Sequence, residues 1–154
     1  MITYRKAVLS DEKKLAEIRS VFLKEINNVS SEEEKIIVEQ ASLEYFRKAL
    51  CDDTFISWIA LNDTEIIATS GLSFSVIPPF FPVSDGKIAY IMNMFTFPMC
   101  RNQGVGTELF KRIVHEAKQL GYKKITLNAT DMGRPLYEKY GFKDVQGDMI
   151  FFVQ

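Results

Sequence analysis

The sequence predicts an α/β domain in which helices pack on a mixed central sheet. Apolar residues change repeatedly between the alternation typical of strands and the spacing of about 3.6 residues typical of helices. Two β runs are joined by a short polar turn, and a strand–helix–strand succession covers residues 88–129, which implies a crossover between parallel neighbouring strands. The 154 residues, 47% of them hydrophobic, suffice for one domain with one core, spanning residues 1–154.

The first predicted elements are a strand and two helices. Residues 2–6 alternate as a short strand, and Ser10 is a suitable N-cap for a helix that ends near Asn27. Ser31 followed by Glu34 forms a capping-box pattern, which predicts a second helix to about residue 50. The apolar positions of the first helix lie at helical spacing and are Leu15, Ile18, Phe22 and Ile26.

Three strands are predicted in the middle of the chain. Residues 55–61 and 65–76 should pair as an antiparallel hairpin. Residues 78–86 contain prolines, which lack the amide donor of a ladder, so this loop either covers the core or forms part of a binding-site wall. Residues 88–97 are almost continuously apolar, as in a central strand covered on both faces, and Asn93 is the exception in its middle.

The last third of the chain begins with a strongly amphipathic helix. Its apolar stripe runs from Leu109 to Leu120, and Gly121 is a natural C-terminal stop. The elements predicted after it are a strand at residues 122–130, a short helix at 135–141, and two strands at 143–145 and 149–153.

Composition excludes several classes of function. A formal net charge of −1 and a pI near 5.9 give no basic footprint for nucleic acid or an anionic membrane, so a small partner is expected. Cys51, Cys100 and His115 are too few for a disulfide framework or a metal site. The first residues do not have the pattern of a secretory leader, no apolar run is long enough to span a membrane, and reduced thiols fit the cytosol, so we expect a cytoplasmic location.

Gly104 and Gly106 lie between an apolar strand and the amphipathic helix. A Walker loop would need a lysine followed by Ser or Thr, and Thr107 and Glu108 follow the second glycine instead. A dinucleotide fingerprint would need a third small residue where Leu109 stands. What remains is either a close-packed turn or a loop whose backbone amides approach a pyrophosphate at a helix N-terminus.

The context of these glycines favours the pyrophosphate loop. The pattern Arg101-x-x-Gly104-x-Gly106 resembles the acyl-CoA pyrophosphate motif of the GNAT superfamily of N-acetyltransferases, and LYEKYGF, residues 136–142, resembles its second signature. The predicted order of elements is similar to that of the family across essentially the whole chain. The resemblance therefore implies a GNAT-like mixed sheet whose fourth and fifth strands are parallel and splayed.

The resemblance also implies roles for particular residues. The pantetheine arm of acetyl-CoA would pair with the backbone of the fourth strand, the loop amides would hold the pyrophosphate with Arg101 adding charge, and Tyr137 would be the general acid. Asn128, at the end of the fifth strand, would contact the cofactor arm. The implied cofactor-binding residues are Met94, Phe95, Thr96, Arg101, Asn102, Gln103, Gly104, Val105, Gly106, Thr107 and Asn128.

Two functions from different classes remain open at this stage. One is an acetyltransferase that moves the acetyl group of acetyl-CoA, without a metal, to a primary amine of a small molecule or peptide by direct attack. The other is a catalytically silent acyl-CoA-binding or sensing module. The general base, the acceptor and the choice between monomer and homodimer stay open, although Glu25, Glu44 and Asp131 are carboxylates near the expected acceptor pocket. Asn93 would either orient an acceptor or satisfy its own strand.

Overall fold

The computed structural model describes residues 1–154 and shows a six-stranded mixed sheet with helices on both faces. The strands are β1 (Ile2–Lys6), β2 (Phe55–Ile56), β3 (Trp58–Asn62), β4 (Glu65–Val76), β5 (Lys87–Thr96) and β6 (Lys124–Leu127). The helices are α1 (Glu12–Glu25), α2 (Glu32–Cys51), α3 (Val105–Gln119) and α4 (Arg134–Tyr140). No helix is long and apolar enough to cross a membrane.

The sheet has the mixed topology that the sequence predicted. Its order is β1-β3-β4-β5-β6, with β2 paired to β4, and every pairing is antiparallel except that of β5 with β6. α3 forms the crossover between those two parallel strands, which confirms the strand–helix–strand prediction. The predicted strand at residues 55–61 is divided at Ser57, whose hydroxyl donates to the carbonyl of Ser70.

The helix starts follow their capping residues with one shift. The hydroxyl of Ser31 accepts a hydrogen bond from the amide of Glu34 at 3.1 Å, so the predicted N-cap of α2 is confirmed. α1 begins at Glu12 and not directly after Ser10, because residues 9–11 form a 3₁₀ turn. The Asp11 carboxylate closes that turn by accepting hydrogen bonds from the Val8 amide and from Arg5.

The two pairs of helices bury different faces of the sheet. Leu15 and Ile18 of α1 and Phe46 of α2 pack with Phe55 and Phe95 on one face. On the other face, the core consists of Phe110, Ile113 and Val114 of α3 with Ala89 and Ile91 of β5 and Tyr137 of α4. β5 is therefore covered on both sides, as its nearly continuous apolar sequence predicted.

A bulge at Asn93 bends β5 in the middle of the sheet. Met92 pairs with Gly71 and Phe95 pairs with Thr69, so two residues of β5 lie opposite one residue of β4. The bulged residue has a left-handed φ of 55°, and its carbonyl accepts a hydrogen bond from the Thr69 hydroxyl at 2.9 Å. The pairing of β5 with β6 stops before the bulge, so the two parallel strands separate as predicted.

The two strands predicted at residues 143–145 and 149–153 are not formed. Residues 142–154 contain no strand, and the side chains of Met149 and Phe151 are 94% and 86% exposed. The prediction was wrong because an apolar run becomes a strand only when it pairs with a neighbouring edge, and nothing in the sequence encodes that pairing. The loop at residues 78–86 places only Val83 in the core, while Phe81 is exposed.

The packing around Phe110 leads to a stability prediction. Phe110 is fully buried, with its ring centroid 5.0 Å from that of Tyr137 and 5.6 Å from that of Phe142. Phe110→Ala should therefore lower the free energy of unfolding by about 3–5 kcal/mol, measured by urea denaturation. Phe81→Ala is the matched control, and its change should stay below about 0.5 kcal/mol because Phe81 is 95% exposed. A similarly small change in the free energy of unfolding in both variants would contradict the placement of Phe110 in the core.

Candidate active site

A cavity of about 560 Å³ lies where β5 separates from β6. Its wall is built from the end of α1, the end of β5, the loop and first turn of α3, and α4 with the loop before it. The sequence-predicted residues that line it are Met94, Phe95, Thr96, Arg101, Asn102, Gly104, Val105, Gly106, Thr107 and Tyr137. The structure therefore brings together most of the predicted site from three separate stretches of the chain.

The loop before α3 presents a row of unused backbone donors to this cavity. The amides from Asn102 to Thr107 donate no hydrogen bond within the protein, and the first amide of α3 to do so is that of Glu108, to the carbonyl of Gly104 at 3.0 Å. Free amides at a helix N-terminus, together with the helix dipole, favour an anionic group such as a pyrophosphate. Two charged phosphates could thus be held by backbone alone.

Gly104 permits the backbone conformation of this loop. Its φ of +80° lies in the left-handed region, which residues with a side chain rarely adopt. A Cβ at this position would meet no protein atom within 4 Å, so the space beside it is open. The glycine therefore serves the turn and leaves room for a bound group, and it does not serve packing within the protein.

The end of β5 offers a second set of free backbone groups. Phe95 and Thr96 pair with β4 on one side, and no strand pairs with them on the other side because β6 ends level with Ile91. An extended amide-containing ligand could add to such an edge as an extra strand. The carbonyl of Thr96 is already used, since it accepts a hydrogen bond from Nε of Arg101 at 2.8 Å.

Arg101 is engaged within the protein. Besides its bond to Thr96, its Nη2 lies 2.6 Å from the Oε1 of Glu25 at the end of α1, and its guanidinium lies 5.7 Å from the ring centroid of Phe95. These contacts hold the loop before α3 against α1 and β5, and Glu25 offsets the positive charge of Arg101. The resemblance implies that Arg101 adds positive charge at the pyrophosphate, and in this structure its guanidinium also anchors the loop.

Tyr137 reaches the cavity from the opposite side, on α4. Its ring is 7% exposed and packs against Phe110, and a Cβ on Gly133 would lie 2.8 Å from its hydroxyl oxygen, so this position needs glycine. The hydroxyl has no hydrogen-bond partner in the protein and is not enclosed, since no enclosed side-chain nitrogen or oxygen lacks a partner. Burial raises the pKa of Tyr137 above its usual value, so the phenol is protonated at neutral pH.

Other predicted residues lie outside the cavity wall. Asn128 follows β6 and is exposed, and Thr130 lines the cavity in its place. Gln103 is exposed, with its side-chain amide donating to the carbonyl of Met99 at 3.2 Å. Of the three carboxylates considered as a base, only Glu25 lines the cavity, whereas Glu44 and Asp131 are exposed elsewhere.

Several wall residues were missed by the sequence reasoning. Phe22 and Ile26 were assigned to the core-facing stripe of α1, but the end of that stripe faces the cavity. Met132, Gly133 and Leu136 also line it, from α4 and the loop before it. The spacing in α1 could not separate these roles, because a helix stripe continues unchanged where the core ends and a pocket begins.

The comparisons with known proteins agree with this geometry. The sequence profile described as the acetyltransferase (GNAT) family matches residues 22–142. A predicted acetyltransferase from Clostridium acetobutylicum, solved with acetyl-CoA, is 34% identical, with a TM-score of 0.90 over 99% of this chain and 96% of that one. A GCN5-related N-acetyltransferase from Ralstonia eutropha JMP134 shares the fold, with a TM-score of 0.88, 23% identity and 99% coverage of both chains.

One curated relative matches over a shorter stretch. The probable N-acetyltransferase camello of Xenopus laevis is 27% identical over 97 residues, which cover 61% of this chain and 41% of that protein. The matched stretch thus spans less than half the length of that relative.

The raised pKa of Tyr137 makes a testable prediction about pH. Because the folded state holds this proton to a higher pH than the unfolded state, the stabilisation is complete below the unfolded pKa of about 10 and is lost as pH rises through the folded pKa. Urea denaturation from pH 8 to 11 should therefore show a steeper loss of stability in the parent protein than in Tyr137→Phe. Identical slopes would place the hydroxyl in an unperturbed environment.

Proposed function

The chain belongs to the acetyltransferase (GNAT) family, and on that premise we propose that it transfers the acetyl group of acetyl-CoA to a primary amine of a small molecule or peptide by direct attack. The observation that carries the proposal is the row of free amides from Asn102 to Thr107, which faces the same cavity as the free edge of β5 and the hydroxyl of Tyr137. In the proposed site, the loop amides would hold the anionic group, the free edge of β5 would hold an extended ligand chain, and the hydroxyl of Tyr137 would donate a proton.

The residues of this chain would bind acetyl-CoA mainly through backbone. The amides of the phosphate loop fit its pyrophosphate, and the unpaired edge at Met94 and Phe95 fits the amides of its pantetheine arm. Acetyl-CoA, when bound, supplies the thioester whose acetyl group is transferred. An unpaired amide of β5 beside the thioester would also be a donor for negative charge on the carbonyl oxygen.

Tyr137 would hold the proton that the departing sulfur requires. Its hydroxyl is free, and burial raises its pKa, so the proton is in place at neutral pH. A thiol has a reference pKa of about 8.5 and a phenol one of about 10, so transfer to the sulfur is slightly unfavourable in water. The difference of about 1.5 between these pKa values corresponds to about 2 kcal/mol, a small cost for a proton transfer made within one site.

Loop geometry can be tested through CoA affinity. Gly104→Val should weaken CoA binding at least 10-fold in calorimetry, since valine disfavours a φ of +80° and its side chain would enter the open space beside the free amides. Gly121→Val is the matched control, because Gly121 has a φ of +83° and open surroundings at the other end of α3. Affinities within about twofold of the parent in both variants would contradict the phosphate-loop assignment.

Catalysis can be separated from binding at Tyr137. Tyr137→Phe keeps the ring and removes the proton, so kcat should fall roughly 100-fold while CoA affinity stays within about twofold, measured by thiol release and calorimetry. Tyr140→Phe is the matched control on the same helix, since Tyr140 also packs against Phe110 but is 40% exposed. CoA binding with no thiol release across a broad amine panel would instead support a silent binding module.

A further inference from the structure

Arg19 differs from every other arginine in the chain. The sequence has six arginines, and five of them form an ion pair with a carboxylate, whereas Arg19 forms none. The five pairs are Arg5 with Asp11, Arg47 with Glu12, Arg101 with Glu25, Arg112 with Glu108, and Arg134 with Asp144. A guanidinium without an anionic partner is therefore a local exception that calls for a physical reason.

Arg19 is a partly buried guanidinium without an ion-pair partner, and burying an unpaired charge costs free energy. Its side chain is partly buried, and Nη1 donates to the Oδ1 of Asn93 at 2.6 Å. Burial lowers the pKa of Arg19, with the nearby hydroxyls of Tyr90 and Tyr45 opposing that shift. Both neighbours supply hydroxyls and not carboxylates, and no carboxylate forms an ion pair with the guanidinium of Arg19.

The groups around Arg19 form a cluster of hydrogen-bond donors. We call the side chains of Arg19, Tyr45, Tyr90 and Asn93 the Arg19 cluster. The guanidinium has five N–H donors, of which the contact with Asn93 uses one, and the side-chain amide of Asn93 donates to no protein atom. No enclosed side-chain nitrogen or oxygen lacks a partner, so none of these unused donors is fully enclosed.

None of the four side chains of the Arg19 cluster lines the cavity wall, but two neighbours of the cluster in the chain do, away from the loop before α3. Arg19 lies one helical turn before Phe22, and Asn93 directly precedes Met94, and both of these neighbours line the cavity. Glu25, which contacts Arg101 at the phosphate loop, lies six residues further along α1, about 9 Å away at 1.5 Å per residue. The unused donors therefore lie on the α1 side of β5, while Tyr137 approaches from the α4 side.

We propose that the acceptor amine carries a carboxylate and that Arg19, oriented by Asn93, binds it. A guanidinium matches a carboxylate with two parallel N–H···O bonds, which an ammonium or an amide cannot reproduce. The inference rests on the proposed acetyl transfer and deepens it by giving the substrate class, an amine of the amino-acid type. Arg19 is a specificity-determining residue in this role, since it contacts the substrate away from the reacting nitrogen.

Matched amines test this substrate class. Each pair consists of an amino acid and its decarboxylated amine, such as tyrosine with tyramine and lysine with cadaverine, and peptides starting with Asp or Asn extend the comparison to a carboxylate in a peptide. In the pair that the enzyme acetylates faster, kcat/KM should be about 10- to 100-fold higher for the carboxylated member than for the decarboxylated amine. This is the range expected for a hydrogen bond to a charged group. Preference for the Asp peptide alone would assign the carboxylate to a peptide acceptor.

Arg19→Gln tests the residue itself. Glutamine keeps a hydrogen-bond donor for Asn93, so the variant should fold with a melting temperature near that of the parent. It should lose the preference for the carboxylated member of each pair. Its kcat/KM for the decarboxylated amine should stay within about twofold of the parent value. Arg47→Gln is the matched control, since Arg47 is exposed and its removal changes the net charge equally. An unchanged preference in Arg19→Gln would overturn the inference while leaving the proposed acetyl transfer intact.

A binding measurement separates the two proposals. The same pairs are titrated by calorimetry into the protein saturated with CoA, where no acetyl group can move. Tighter binding of the carboxylated members to the parent protein, with no such difference in Arg19→Gln, would support a carboxylate site at Arg19. If no amine were acetylated in the activity assay, that result would count only against the proposed acetyl transfer. Equal binding of both members by parent and variant would overturn the anion site.

Discussion

The separation of β5 from β6 at Asn93 is the constraint on which the rest of this structure depends. A φ of 55° lies in the left-handed region, which asparagine adopts more readily than most residues with a side chain, and the hydrogen bond from Thr69 to its carbonyl holds Asn93 in place. The bulge lets Met94 pack toward α3 and Phe95 toward α1 and α2, just beyond the point where β6 and its pairing with β5 end. The bulge therefore lies at the start of the free strand edge beside the cavity, and the side chain of Asn93 accepts a hydrogen bond from Arg19.

The phosphate loop shows how unsatisfied backbone groups are kept in a stable protein. Its six free amides lie at an open cavity, where water can solvate them, so they do not carry the penalty of enclosed donors. Arg101 fixes this loop through Glu25 of α1 and the carbonyl of Thr96 in β5. In the role proposed for it, the loop would be preorganised for an anion by contacts that the anion itself does not make, which would limit the ordering cost of binding.

Tyr137 belongs to the hydrophobic core and also lines the cavity. The ring belongs to the same apolar cluster as Phe110 and Ile91, so the helix that places the hydroxyl is held by the core under the sheet. Burial both fixes the ring and raises its pKa, and Gly133 provides the room that the hydroxyl needs. On the other side of β5, Arg19 and Asn93 are polar groups beside an apolar cluster, where their desolvation opposes stability to the extent that their hydrogen bonds are incomplete.

The sequence by itself determined the features that local chemistry encodes. Helix and strand periodicity, the Ser31 cap, the parallel crossover and the glycines of the phosphate loop all follow from residues close together in the chain, and the structure has each of them. Tertiary structure alone decided which distant side chains meet: Arg19 and Asn93 are 74 residues apart, and Glu25 and Arg101 are 76 apart. It also left residues 143–154 without the expected strands and kept Asn128 outside the cavity. The physical reason is that spacing fixes which face of an element a side chain occupies, whereas its partner depends on the packing of elements far apart in the chain.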